Sequence, residues 1–447
     1  MHISHHHAVD LEIWLQRREH PSYAAVVTFR PTGSPVDESL ITGELPRVVL
    51  DESRLLQHSL DHHAYGAALT AMLFADQRMR EALISARSRA LGAGVPLRLR
   101  LRLDADDPAL HVVRWELLRD PTSPNSPFLC TNARMLFSRY LASPDATPIH
   151  RGDLSVLTAL LAIAAPSDLE CYGLARIDRA NEIAALQPTL QSIPTTILEQ
   201  TTLTTLTTAL LDGPTILYLV CHGTICDGLP YLWLENDQGT TEQIAGSALI
   251  ERVRGLARRP LLIVLASCQS AGQSDARSEA LVALGPQLAQ AGVGAVIAMH
   301  DNIAIATVQA GMPVFFTELR RHGQVDLALA AMRNVLATRG EDWWQPVLFL
   351  RLDDGKLLET PMTAPPNPVE LPRAVPPLLP SAIAKEIARK QDLLDLVAEK
   401  LAFFEKQELL ATDPNTKFQL KKQLTDLRAQ RATIEAEISQ LREKGAS

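Results

Sequence analysis

No stretch of this 447-residue sequence is apolar enough for long enough to cross a bilayer. The longest apolar runs, 154–166 and 261–266, fall short of the roughly 18–20 residues a span needs and have the length of buried strands. The first ten residues, including His5, His6 and His7, lack the charged-then-apolar order of an export signal. Positive charge is not in excess either. A net charge of −8 offers no global basic field for nucleic acid, although it leaves room for a local basic patch. Cysteine is scarce: Cys130, Cys171, Cys221, Cys226 and Cys268 are odd in number and scattered, which fits a reduced, cytoplasmic compartment and no disulfide scaffold. Cys221, His222 and Cys226 have no matching second pair, so their spacing does not make a zinc site. No strand-like run is followed by GxxxxGKS/T or GxGxxG, which argues against a nucleotide-binding α/β domain.

What is present is a chain of ample apolar content, 46%, with a length that suggests two or three units. Seven prolines between Pro365 and Pro380 cannot pair into a sheet or continue a helix, and 358–380 reads as a linker. Before it, continuous apolar runs alternate with helical patterns, as in parallel sheets buried on both faces. Strands are expected at 154–165, 195–203, 215–221, 261–267, 295–299 and 347–351, with a hairpin at 231–235. Helices are expected near 178–190, 245–256 and 279–291. Residues 11–150 are more mixed, with strands at 24–29 and 97–103 and one helix over about 64–91 between them. The expected units are an α/β half at 11–150, a second half at 151–357 and a helical module at 381–445. In the last, Ile383, Ile387, Leu394, Val397 and Leu401, then Leu420, Leu424, Leu427, Ile434 and Ile438, step at heptad spacing. Thr412-Asp413-Pro414 restarts a helix between the two segments, predicting an αα-hairpin. That hairpin serves equally well as a self-contained or dimerising spacer and as a module that recruits a protein partner.

Two of the apolar runs end in reactive side chains. TILYLVC (215–221) leads into His222-Gly223, and LLIVLA (261–266) leads into Ser267-Cys268. Carboxyl ends of strands in open α/β sheets are where ligand crevices form. A thiol there is accessible, and a nearby imidazole can take its proton. Positions 222 and 268 differ by 46, leaving room for a hairpin and a crossover helix between neighbouring strands. Gly223 lets its backbone N–H approach a developing oxyanion, with the Cys268 N–H as second donor. Taken singly, each residue has an ordinary reading: a hydrogen-bonding structural histidine, and a small buried hydrophobe in the cysteine. Their order, interval and placement together point to a cysteine hydrolase working by acyl transfer, which needs neither metal nor organic cofactor.

The segments VRWELLRD (113–120), LYLVCHG (217–223), YLWLEND (231–237), LLIVLASCQSAG (261–272), LGPQLAQAGVGAVIAMH (284–300) and WWQPVLFLR (343–351) resemble the CHAT family, caspase-like cysteine peptidases of the separase and caspase clan. The likeness runs over most of 11–355 and is looser before 154. It implies a caspase-like α/β/α sandwich, with a pseudo-caspase-like half at 11–150, an active half at 151–357 and a C-terminal α-helical hairpin. It also implies His222 as general base, Cys268 as nucleophile and a protein as substrate. Such domains occur in bacterial signalling and defence, and 403–429 resembles helical adaptors of bacterial effectors. Two departures stand out. Relatives that place an acid two residues before the cysteine have Ala266 as their counterpart here, and His300-Asp301-Asn302 replaces a Pro–x–x–Asp-like turn. Asp275 and Asp301 are the candidate specificity acids. A CHAT scaffold without activity, binding partners through 381–445, is the competing expectation.

Overall fold

The computed structural model describes residues 8–359, except 20, 32–33, 35, 105–106, 124–125, 142–148, 150, 154–155, 191–192, 267, 270–278, 301–302 and 341, together with Thr425 and Arg428. The chain divides after Met362, and the fold below belongs to the first unit. The hairpin expected over 381–445 lies outside the described residues apart from Thr425 and Arg428, both helical.

One twelve-stranded sheet organises this unit. Its order is Glu38–Ser39, Ser22–Arg30, Val9–Arg17, Leu97–Arg102, Met135–Tyr140, Pro346–Leu350, Ala295–Met299, Leu262–Ala266, Ile216–Val220, Ala159–Ile163 and Thr195–Ile197, with Arg47–Val49 also paired to Ser22–Arg30. Two parallel blocks meet in it. Val9–Arg17, Leu97–Arg102, Met135–Tyr140 and Pro346–Leu350 run one way. Ala295–Met299 is antiparallel to Pro346–Leu350 and starts a second parallel block that continues to Thr195–Ile197. Pro346 opens its strand, the position where a missing N–H is tolerated.

The second block is buried on both faces because its strands are apolar throughout. Ile216, Tyr218 and Val220 point into one core, and Leu217, Leu219 and Cys221 into another. Leu262, Val264 and Ala266 oppose Ile263 and Leu265 in the same way. Helices Arg179–Leu190, Ile305–His322 and Val325–Ala337 cover the first core, and Leu203–Leu211, Gly246–Gly255 and Glu279–Gln290 the second. The product is an α/β/α sandwich, as expected. Packing is close at Gly285, where an added Cβ would collide with the Phe349 ring. Leucine or alanine there would push the helix off the sheet.

Most expected elements are found within a few residues of their places. The helix expected over 64–91 is instead two, His62–Leu73 and Gln77–Ala93. Asp76 breaks it: its carboxylate accepts the Arg78 N–H and so caps a new N-terminus. The hairpin at 231–235 belongs to a three-stranded antiparallel sheet of His222–Cys226, Leu229–Glu235 and Thr241–Ala245. Among the described residues no helix is long and apolar enough to cross a membrane.

Candidate active site

Ile216–Val220 and Leu262–Ala266 are adjacent and parallel, with Val220 level with Ala266. The Cys221 N–H donates to the Ala266 carbonyl at 3.0 Å, carrying the alignment past the strand end. His222 and Cys268 each come two residues beyond that matched pair, at the same edge of the sheet. Neighbouring strands are about 4.8 Å apart, so the two backbones leave the sheet side by side. Between them in sequence lie the three-stranded hairpin and the helix Gly246–Gly255, as the interval predicts. Cys268–Gln269 is itself held, pairing in parallel with Ile303–Ala304. Gly223 follows His222 into the hairpin, opposite Leu232. The Cys268 side chain, Asp275 and Asp301 lie outside the described residues.

His222 is 5% exposed and its Nε2 lies 2.7 Å from the Ala175 carbonyl oxygen. A carbonyl can only accept, so Nε2 carries the proton and the ring's lone pair is on Nδ1. Burial holds the His222 pKa below its ordinary 6.5, outweighing the opposing pull of the Ala175 hydrogen bond. The imidazole is therefore neutral at pH 7, with its tautomer set by the backbone. This carbonyl was not foreseeable, since every residue offers one.

The segment that supplies it is anchored. Asp168 accepts the Thr241 N–H at 2.7 Å, tying the Leu169–Tyr172 turn to the hairpin. Tyr172 is half exposed and packs on Trp233 at 5.0 Å between ring centroids. Trp233 stands opposite His222 in the hairpin register. Trp233 is thus the cross-strand neighbour of His222 on the hairpin side.

At the end of the Ala295–Met299 strand, His300 is buried and 3.2 Å from Arg139 Nη2. Arg139 pairs with Glu116 at 2.6 Å, both wholly buried, and donates to the carbonyls of His111 and Val113. Burial, with Arg139 and Arg114 adding to it, holds the His300 pKa well below 6.5. His300 is thus an uncharged neighbour for Arg139. The 113–120 segment is in this way fastened to a strand end beside the crevice.

The other thiols differ. Burial pushes both Cys130 and Cys221 up to about 12, which leaves them protonated and inert. Cys171 and Cys226 are exposed, and Cys226 ends the hairpin strand. Among the described residues no group of three or more His, Cys, Asp or Glu side chains is placed to hold a metal ion.

The CHAT domain profile matches residues 63–368, well over half of the sequence. The chain belongs to the CHAT domain family. The CHAT match begins later than the expected 11, leaving Val9–Arg17 and Ser22–Arg30 outside it, and ends before 381–445. Solved structures similar to this CHAT chain include the complex of the pro- and mature domains of Porphyromonas gingivalis RgpB. It is 14% identical with a TM-score of 0.38, covering 64% of this chain and 70% of that one. The Saccharomyces cerevisiae separase–securin complex is also similar, at 14% identity and a TM-score of 0.33, covering 61% of this chain and 16% of that one. No curated protein sequence matches the chain.

Proposed function

We propose that this CHAT protein is a cysteine endopeptidase with His222 and Cys268 as its dyad. The observation that carries the reading is a neutral imidazole, its Nε2–H fixed on the Ala175 carbonyl, beside the strand that delivers a cysteine at the matching level. In this reading His222 Nδ1 takes the Cys268 thiol proton and the sulfur attacks a peptide carbonyl. The developing oxyanion is met by the Gly223 and Cys268 amides. The imidazolium then gives its proton to the leaving amine, and water, deprotonated by His222, hydrolyses the thioester. No metal or organic cofactor enters these steps.

A peptidase active in its own cytoplasm has to be restrained. The reading therefore includes a regulated role in bacterial signalling, defence or cell death, with 381–445 receiving a protein partner or a second copy of the chain. Asp275 and Asp301 remain the acids proposed to choose the cleavage site.

Intact-mass analysis of wild type and Cys268→Ala, each incubated with candidate protein substrates, tests the activity. Cleavage by the wild type alone is expected. Cleavage by both would overturn the dyad. If neither cleaves, a thiol electrophile decides: labelling at Cys268 marks a latent enzyme, and failure to label marks a silent scaffold. The rate of cleavage should climb with pH along a limb centred below 6.5, because the base works only when deprotonated and burial lowers its pKa.

A further inference from the structure

The hairpin that begins at His222 has two unlike faces. Side chains alternate along a strand, and residues paired across an antiparallel ladder share a face. Leu232, Leu234 and Ile244 turn into the second core, toward the helices Gly246–Gly255 and Glu279–Gln290. The other face carries His222 opposite Trp233, Thr224 opposite Tyr231, and Cys226 opposite Leu229. Gln243 and Ala245 stand beside the two aromatic residues on the third strand. Asp227 (φ +52°) and Gly228 (φ +76°) close the hairpin in a two-residue turn. Two successive left-handed residues are what a tight hairpin needs, and they hold these rows in register.

This second face is aromatic, aliphatic or neutral in every row. Tyr231 and Trp233 are partly exposed, and Leu229 is 59% exposed. Tyr172, packed on Trp233, is 48% exposed. No charged side chain stands in the three rows, and Asp227 lies beyond them in the turn. Folding alone gives no reason to leave such surface in water, whereas recognition of another apolar group does.

The chemistry gives the face a direction. In the mechanism above His222 returns its proton to the leaving amine, so the chain after the scissile bond departs past His222. An extended peptide advances about 7 Å every two residues, the same step that separates one row of the hairpin from the next. Resting on the peptidase reading, we propose that this face binds the substrate segment just after the scissile bond and selects apolar or aromatic side chains there. Tyr172 and Trp233 receive the first residue of that segment, and Tyr231 and Leu229 the third. Charged side chains are disfavoured, because these rows give them no partner in exchange for water. The strand Ala295–Met299, which leads to Asp301, lies on the far side of Leu262–Ala266 from the hairpin strand, so the two determinants serve different substrate positions.

The test follows initial rates of iodoacetamide alkylation at Cys268 and Cys226 in the full-length protein by peptide mass mapping. The competitors are leucyl-seryl-leucyl-serinamide and its aspartyl, lysyl and glycyl counterparts, each a mimic of the departing amine side. The leucyl peptide is expected to slow both thiols, and the others to slow neither at the same concentration. Tyr172→Ala should raise the concentration for half-protection about tenfold, and Tyr172→Phe, which keeps the ring, should not. Equal protection by the charged or glycyl peptides, no protection while Cys268 still reacts, or unchanged protection in Tyr172→Ala would overturn the proposal and leave the peptidase reading standing. A Cys268 that stays unlabelled while Cys226 reacts would instead sink the peptidase reading, and this proposal with it. Circular dichroism checks that Tyr172→Ala folds. If it does not, Leu229→Asp, at an exposed position, carries the same test with the same loss expected.

Discussion

The two parallel blocks of the sheet share one core but treat their other face in opposite ways. From Ala159 to Leu350 the second face is apolar and roofed by three helices. On Val9–Arg17 and Leu97–Arg102 of the other block it is largely charged. Leu97, Leu99 and Leu101 enter the shared core, while Arg98, Arg100 and Arg102 face away from it. Arg98 is nevertheless buried, between Asp10 at 2.9 Å and Asp326, and donates to the Asp354 carbonyl. Arg100 pairs with Glu12 and Asp353, and Arg102 stacks over Trp14. One block thus fills its second face by excluding water from carbon, the other by matching charges. Desolvating an ion pair costs about what its attraction returns, whereas each apolar side chain buried is a net gain. The charged face should therefore contribute little when intact and fail badly when one member is removed.

That asymmetry can be broken experimentally. Arg98→Ala leaves Asp10 and Asp326 buried without their cation and should cost about 3–5 kcal/mol. Urea denaturation would measure it. Replacing all three together, with Arg98→Met, Asp10→Leu and Asp326→Leu, should recover most of that loss. If the triple variant is as unstable as Arg98→Ala, the charges are needed for the fold itself. On the apolar face, Ile263→Val should cost about 1 kcal/mol, as a small cavity does, and a loss as large as that of Arg98→Ala would erase the contrast.

The smallest effect at neutral pH belongs to His300. Its folded pKa is depressed, so below 6.5 the unfolded chain binds a proton that the folded one refuses. Stability present above 6.5 is therefore lost as pH falls toward the folded value. Thermal unfolding from pH 7.5 down to 5 should show a shallower decline in His300→Gln than in wild type. Equal slopes would mean that the Arg139 contact tolerates a charged ring.

Burial on both faces is also why the second block was easy to read. A strand covered on two sides must be apolar at every position, and 216–220, 262–266 and 295–299 stand out as unbroken runs. The strand-end placement of His222 and Cys268 followed from those runs. The break at Asp76 was hidden because alanine and leucine continue on both sides of it, and a cap depends on one carboxylate meeting one amide. Glu116, Arg139 and His300 are far apart in sequence, so their meeting is a property of the topology. The Ala175 carbonyl is more elusive still, since a backbone acceptor carries no side-chain signature.

Pro346–Leu350 joins the two blocks, yet it is the last strand of the sheet to leave the ribosome. Until then Met135–Tyr140 and Ala295–Met299 are both open edges, each with backbone groups ready to pair with a stray strand. A nascent chain stalled near residue 340 would hold both residues of the proposed dyad but not the strand that unites the sheet. Assembly thus ends on a long-range pairing, with Phe349 level with Arg139. Synthesis therefore carries its own timing, in which the crevice is braced only once residues 346–350 have emerged.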